Sequence, residues 1–378
     1  PSLFSWNSHR LKIALLLNLG IAVCVCMRTN LNIAVVCMVN TTYHREQLSS
    51  TDNNEGKCDK QEEERNTDGY DGTMEWTPQM QASLLSATFY GSLLTIAISG
   101  SMADRFGPKL ILTGACIVYV IVTLATPLLA ELSFKALFSA RLIMGLAEGF
   151  VMPSVGSMAG RWFPPTERST LAGIYTSGSQ LGASSSSLIS ALLCSSSFGW
   201  QSIFYFFGIL GAIWIAFWCI LASNSPESNR FIRDREMKFL ESEIRRKEIT
   251  KTISWRSILT SKPIYACLLV HFAFNFSSTL MLTFLPTYFR DDLQIPLSTN
   301  GAYTMIPFVV QIFMRTACSM LADSLKRKVN RAIFVLLIVL FTGGTAGISS
   351  PLISLAVFPS CDRPWIAAIC LAIYGNKY

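Results

Sequence analysis

GSMADRFGPK, residues 100–109, decides how the rest of the chain is read. It sets an Asp-Arg pair between Gly100 and Gly107, leaves through Pro108-Lys109, and stands between apolar runs at 79–102 and 110–130. Runs of about 20 apolar residues cross a hydrocarbon core about 30 Å thick, so the stretch is a tight charged turn joining two membrane spans. A related turn, SMLADSLKRK (319–328), follows a later apolar run and again places Ala-Asp ahead of a basic cluster. Asp104 and Asp323 are 219 residues apart, the spacing of a duplicated six-helix unit.

The whole composition agrees. Of 378 residues, 51% are hydrophobic and only 15% charged, against about 25% charged in soluble domains. Apolar runs predict helices near 12–39, 79–102, 110–130, 134–160, 169–193, 201–222, 263–287, 301–322 and 332–357, with a tenth starting near Pro364. The expected fold is an all-α, multi-pass integral membrane protein without strands. Lys and Arg concentrate in alternate loops, above all in 223–262, which places the amino terminus on the cytoplasmic side by the positive-inside rule. The net charge of +7 is therefore topological, and nucleic acid is not an expected partner; the lipid bilayer is.

Three divisions follow. Residues 1–222 form an amino-terminal six-helix bundle, 223–262 a charged cytoplasmic linker, and 263–378 an incomplete carboxyl-terminal bundle. Only 55 residues follow Asp323, so the second repeat ends after helix 9 or 10. The outer segment 41–77 carries ten acidic residues against four basic ones, too polar to bury a core. Asn40-Thr41-Thr42 is a glycosylation sequon on that face, whereas Asn275-Phe276-Ser277 lies inside a span and is silent. The linker run EMKFLESEIRRKE (236–248) has the spacing of an amphipathic surface helix. The eleven cysteines lie mostly inside apolar runs and are read as packing residues, without a disulfide framework or metal spacing. Pro127, Pro286 and Pro307 are expected to bend or end their spans.

RLIMGLAEG (141–149) puts Arg141 and Glu148 inside the fourth span, seven residues apart. That is two helical turns, about 10 Å, on one face, too far for an isolated ion pair. A mid-membrane charge is costly and usually faces a wet cavity in the service of function. Gly145 and Gly149, four apart, admit another backbone closely. No nucleophile elbow, phosphate loop or paired metal ligands are present, so an enzyme is not expected, and no cofactor is implied.

Gly100, Asp104, Arg105, Gly107 and Lys109 match the Gly-x-x-x-Asp-Arg-x-Gly-x-Lys signature between spans 2 and 3 of the major facilitator superfamily, which the chain resembles. The resemblance implies two six-helix repeats that rock about a central site. It gives this loop a gating role, its aspartate meeting basic partners and helix dipoles of the other half; Asp323 holds the corresponding place in the second repeat. The stretches MRTNLNIAVVCMVNTT, RLIMGLAEGFVMPS, RWFPPTERSTLAG and HFAFNFSSTLMLTFLPTY narrow it further. They resemble the anion transporter family that includes sialin, the vesicular glutamate transporters and the type I sodium–phosphate cotransporters.

By that resemblance the anion-handling arginines fall on Arg28 and Arg141, and the coupling carboxyl on Glu148. A guanidinium suits the task because it stays charged and offers planar paired donors to carboxylate or phosphate. A static charge network that fixes helix packing is the alternative reading of the same trio. His271, in the seventh span, and Asn275, one turn later, are further candidate substrate ligands; a satisfied packing histidine is the alternative for His271. The sequence departs from vesicular glutamate transporters at Phe274 and Gly156, and from sialin at Met144. Secondary active transport of an organic anion or phosphate is thus expected, driven by a proton or sodium gradient or by membrane potential, in a plasma, lysosomal or vesicular membrane. The alternative is a transport-incompetent, truncated membrane protein or regulatory partner that keeps the half-fold.

Overall fold

The computed structural model describes residues 3–4, 8–39, 72–196 and 198–243, with short runs and single positions between 260 and 313. In chain order the helices of the first six spans are α1 (His9–Met38), α2 (Pro78–Phe106), α3 (Pro108–Leu132), α4 (Phe134–Trp162), α5 (Arg168–Thr176), α6 (Gly178–Cys194) and α7 (Gln201–Leu221). The linker contributes α8 (Asp234–Glu243). Among the described residues, α1, α2, α3, α4 and α7 are each long and apolar enough to cross a membrane. Local chemistry sets several starts: the side chains of Ser8, Thr77 and Ser133 accept backbone N–H groups of Leu11, Met80 and Ala136. Short hydroxyl residues at this position satisfy amides that have no partner inside the helix.

The bundle is arranged for lipid. On α7 the exposed residues Ile209, Ile213, Phe217 and Ile220 follow helical spacing, while Phe204, Phe207, Gly208, Gly211, Trp214 and Trp218 turn inward. Both faces are apolar, as a lipid-facing helix requires. Inside, α1 packs against α5, α6 and α7, α2 against α4, and α3 against α4 and α7. Small residues permit the closest approaches, for a Cβ at Gly178 would stand 2.1 Å from the Asn18 carbonyl oxygen and one at Gly182 would stand 2.4 Å from that of Ala22. The serine-rich run of α6 enters this interface because Ser184, Ser185 and Ser187 donate to carbonyls of their own helix. At the carboxyl-terminal end of α1, the Met74 N–H donates to the Met38 carbonyl at 2.9 Å, and Val39 and Met74 form a parallel bridge.

Two expectations are corrected. The fifth span is two helices, not one, with its break at Ser177. There the Ile174 carbonyl accepts from Asn18 Nδ2 at 2.6 Å and Ser177 Oγ at 2.7 Å, which compete with its helical partner. Cys37 and Cys194 are not merely packing residues, for they form a disulfide between the carboxyl-terminal ends of α1 and α6. Pro127 sits inside α3, as the run 110–130 placed it. The linker helix has one buried face, in which Glu236 is 4% exposed and turned into the bundle.

That glutamate belongs to a charged cluster at the amino-terminal end of α1. Its carboxylate accepts from the backbone N–H groups of His9 (2.9 Å) and Arg10 (3.2 Å) and from Arg10 Nε (3.0 Å). It thereby caps α1 from another helix and meets the positive end of the α1 dipole. The Arg10 guanidinium also donates to Glu167, in the turn between α4 and α5, and lies 4.7 Å from the Phe239 ring centroid.

Candidate functional site

Helix α1 carries Arg28 beside α4, and α4 carries both Arg141 and Glu148. The Arg28 guanidinium pairs with Glu148 Oε1, so the carboxyl that seven-residue spacing separated from Arg141 finds its partner on another helix. Arg28 also stacks over Phe89 of α2, 4.5 Å from the ring centroid, which holds the guanidinium plane against the cavity wall.

Arg141 is different. Its side chain is fully buried, one nitrogen donating to the Met27 carbonyl at 3.4 Å and the guanidinium carbon lying 5.7 Å from the Phe204 centroid. Among the described residues Nε and Nη2 of Arg141 have no hydrogen-bond partner, and no acid is within ion-pair distance. A buried cation without a counter-charge is strongly unfavourable unless an anion or water reaches it. A pocket touches both arginines and is lined as well by Thr29, Leu84, Thr88, Phe89 and Thr279, the last from the seventh span.

Of the other expected site residues, Asn275 is an exposed helical position in the seventh span, four residues before Thr279. His271, Asp323 and Asn40 lie outside the described residues. Leu84, Thr88 and Phe89 were absent from the sequence reading, because an apolar run with a threonine carries no signal of the side it faces.

The turn between α2 and α3 is built from both of its flanks. Asp104 Oδ1 accepts from Ser157 Oγ at 2.6 Å and stands 4.0 Å from Arg161, so among the described residues its partners come from α4 of the same half. Arg105 lies against Phe106, 5.6 Å from the ring centroid, and Gly100 has open space around it. Gly107 has φ +91°, a conformation that favours glycine, and a Cβ there would also press on Asn224 at 2.9 Å. Asn224 Oδ1 accepts the Lys109 N–H at 3.0 Å and so caps α3 from the start of the linker, while Lys109 Nζ donates to the Cys219 carbonyl at 2.8 Å. Loss of a cap costs about 1 kcal/mol. Asn224→Ala therefore lowers the melting temperature of the purified protein by about 2–4 °C, the shift 1 kcal/mol produces in a domain of this size. Asn224→Asp, which keeps the acceptor, leaves it within about 1 °C by the same scaling.

Comparison with known proteins agrees with this architecture. The model of the Major Facilitator Superfamily matches residues 17–376. The chain belongs to this superfamily. Among curated relatives it is 32% identical to the uncharacterized transporter slc-17.3 of Caenorhabditis elegans, covering 96% of this chain and 72% of that protein. It is 31% identical to sialin of Homo sapiens (85% and 65%) and 30% identical to a putative inorganic phosphate cotransporter of Drosophila ananassae (94% and 73%). The chain spans between about half and three quarters of the length of these and similar relatives. A crystal structure of a D-xylose–proton symporter superposes with TM-score 0.64 at 15% identity, covering 98% of this chain and 80% of the symporter. An inward-facing bacterial homologue of the human lysosomal transporter Spinster superposes with TM-score 0.61 at 16% identity, covering 99% and 75%. These two likenesses establish the superfamily fold, two repeats of six helices of which α1–α7 build the first.

Proposed function

We propose that the protein is a secondary active transporter of organic anions or inorganic phosphate, working by alternating access, with Arg28 and Arg141 holding the anion and Glu148 coupling its movement to the driving gradient. One observation carries this reading: Arg28 is neutralised by Glu148, whereas Arg141 is fully buried and has no acid partner among the described residues. Among the described residues the trio thus carries one net positive charge, complementary to one negative charge on a substrate. A proton on Glu148 frees Arg28 and raises the site to two positive charges, so proton binding and anion binding favour each other. A carboxylate or phosphate meets both guanidiniums by paired, charge-assisted hydrogen bonds. The names of relatives, sialin and a putative inorganic phosphate cotransporter, support the substrate class. His271 and Asn275 would add contacts from the second half.

The α2–α3 turn, with Asp104, Arg105, Gly107 and Lys109, and its counterpart at Asp323 gate the cytoplasmic side. Residues 1–222, 223–262 and 263–378 act as the first bundle, the linker and the second bundle. A cytoplasmic amino terminus is supported by the basic inner loops and by the Cys37–Cys194 disulfide at the opposite end, since disulfides form on the oxidising face. On that face Asn40 is a glycosylation acceptor. Proton and sodium remain the two coupling ions to compare, with membrane potential as the third driving force, and the plasma, lysosomal or vesicular membrane as the setting.

Full-length protein in liposomes, given labelled orthophosphate, sialic acid and glucuronic acid under imposed proton, sodium and voltage gradients, provides the test. One gradient drives uptake of one of these anions. Arg141→Ala reduces that uptake by about 100-fold or more, as expected from losing a buried charge-assisted contact of about 3 kcal/mol. Glu148→Gln retains exchange but abolishes gradient-driven accumulation. Absence of uptake, or normal transport by both variants, refutes the reading.

A further inference from the structure

One edge of the Arg141 guanidinium is left over. Its carbon lies 5.7 Å from the Phe204 ring centroid, and Nη1 donates to the Met27 carbonyl at 3.4 Å and to Met144 Sδ at 3.7 Å. The two nitrogens without a hydrogen-bond partner among the described residues, Nε and Nη2, are neighbours on one edge of the planar group. Their N–H bonds run parallel and match the two oxygens of a single carboxylate. The charge agrees with this shape. Glu148 neutralises Arg28, so the positive charge that remains for a ligand is that of Arg141.

Much of the same cavity is lined by hydrocarbon. Helix α2 brings Leu84, Leu85, Thr88 and Phe89, two pairs at i, i+4 spacing that share one helical face, and α1 adds Leu31. Phe89 is 37% exposed although Arg28 stacks on it at 4.5 Å, so part of its ring stays open. Thr29 already donates its hydroxyl proton to the Val25 carbonyl at 2.8 Å. The hydroxyls of a sugar acid, or the outer oxygens of phosphate, lose water against leucine and phenylalanine without gaining equal partners. An apolar body gains by leaving water there.

We propose, on the reading of this cavity as the anion site, that its preferred ligand is a monocarboxylate with a flat, apolar body. The carboxylate takes the Nε–Nη2 edge of Arg141, the body lies against α2, and Phe89 is the residue that sets specificity. Orthophosphate and hydroxylated acids meet the same arginine without the second contact and are poorer ligands.

Calorimetric titration of the purified full chain tests this without a gradient. The probes are benzoate, glucuronate, orthophosphate and acetate, the last a carboxylate without a body; benzamide, a ring without the charge, accounts for partition into detergent. Benzoate binds about tenfold more tightly than each of the other three anions, the gain expected of one aromatic contact. Phe89→Ala narrows the ratio of benzoate to acetate affinity to about twofold, since the ring contact is what separates them. Arg141→Lys keeps the charge, removes the paired donors and weakens benzoate and acetate alike by about tenfold. Equal affinities for benzoate and acetate, tighter binding of glucuronate or orthophosphate, absence of carboxylate binding, or a ratio unmoved by Phe89→Ala each overturn the proposal. Phe89→Leu replaces Phe89→Ala if the latter does not fold, and the ranking of the four anions needs no substitution. Gradient-driven uptake of phosphate or a sugar acid in preference to benzoate refutes this ligand and leaves the transport reading standing. Benzoate binding without uptake of any anion under any gradient does the reverse.

Discussion

Arg10→Ala destabilises the protein by about 3–5 kcal/mol, the cost of removing one partner from a buried ion pair. Arg10 is fully buried and serves Glu167 and Glu236 together, so the substitution removes from a buried point the cation that joins the two carboxylates. It also removes the packing of the guanidinium on Phe239. At about 2–4 °C per kcal/mol in a bundle of this size, the melting temperature falls by roughly 10 °C, or folded protein is not recovered. Glu236→Gln has a smaller effect, because the amide oxygen still accepts the His9 and Arg10 backbone N–H groups. Thermal unfolding of the purified variants measures both. Coincident curves for wild type and Arg10→Ala would remove the cluster from the forces that hold the linker to the bundle.

Gly145→Val breaks the crossing of α2 and α4. A Cβ at Gly145 would stand 2.2 Å from the Thr88 carbonyl oxygen, and one at Gly91 would stand 2.2 Å from that of Leu142, so each helix needs a glycine where the other's backbone passes. The obstacle in both cases is backbone, which cannot rotate aside. Overpacking of this kind costs about 1–3 kcal/mol where side chains yield and more where they cannot. Thr88 and Phe89 move with α2, and with them the wall that supports Arg28. Gly156→Ala is the control on the same helix, because nothing lies within 4 Å of its added Cβ. Size-exclusion profiles and melting curves are expected to show loss of folded Gly145→Val and no loss for Gly156→Ala. Equal behaviour of the two would refute the close approach.

Much of this was legible from patterning. The runs at 110–130, 134–160 and 201–222 lie within two residues of the ends of α3, α4 and α7, because a membrane span is set by length and apolarity alone. The fifth span was read as one helix since its break depends on Asn18, a residue of α1 that reaches across to the Ile174 carbonyl. Cys37 and Cys194 are 157 residues apart within apolar runs, and their pairing is a fact of tertiary structure. The trio of Arg28, Arg141 and Glu148 was visible because charges inside spans are rare. Which arginine holds the carboxylate was not, for helical spacing describes one helix and the pair joins two. Glu236 looked like one more charge in a polar linker; only its position against the α1 amino terminus separates it from Glu241 and Glu243.

The bridge between Val39 and Met74 has a practical meaning for anyone who handles this protein. Because the backbone leaves the bundle and re-enters it at adjacent points, the span from 40 to 71 is closed at its base independently of its length. Loop-closure entropy rises only by about 0.6 kcal/mol per doubling of length. An affinity tag or fluorescent reporter spliced between those two points adds little to the cost of folding, because the bridge and not the inserted chain holds the two ends together.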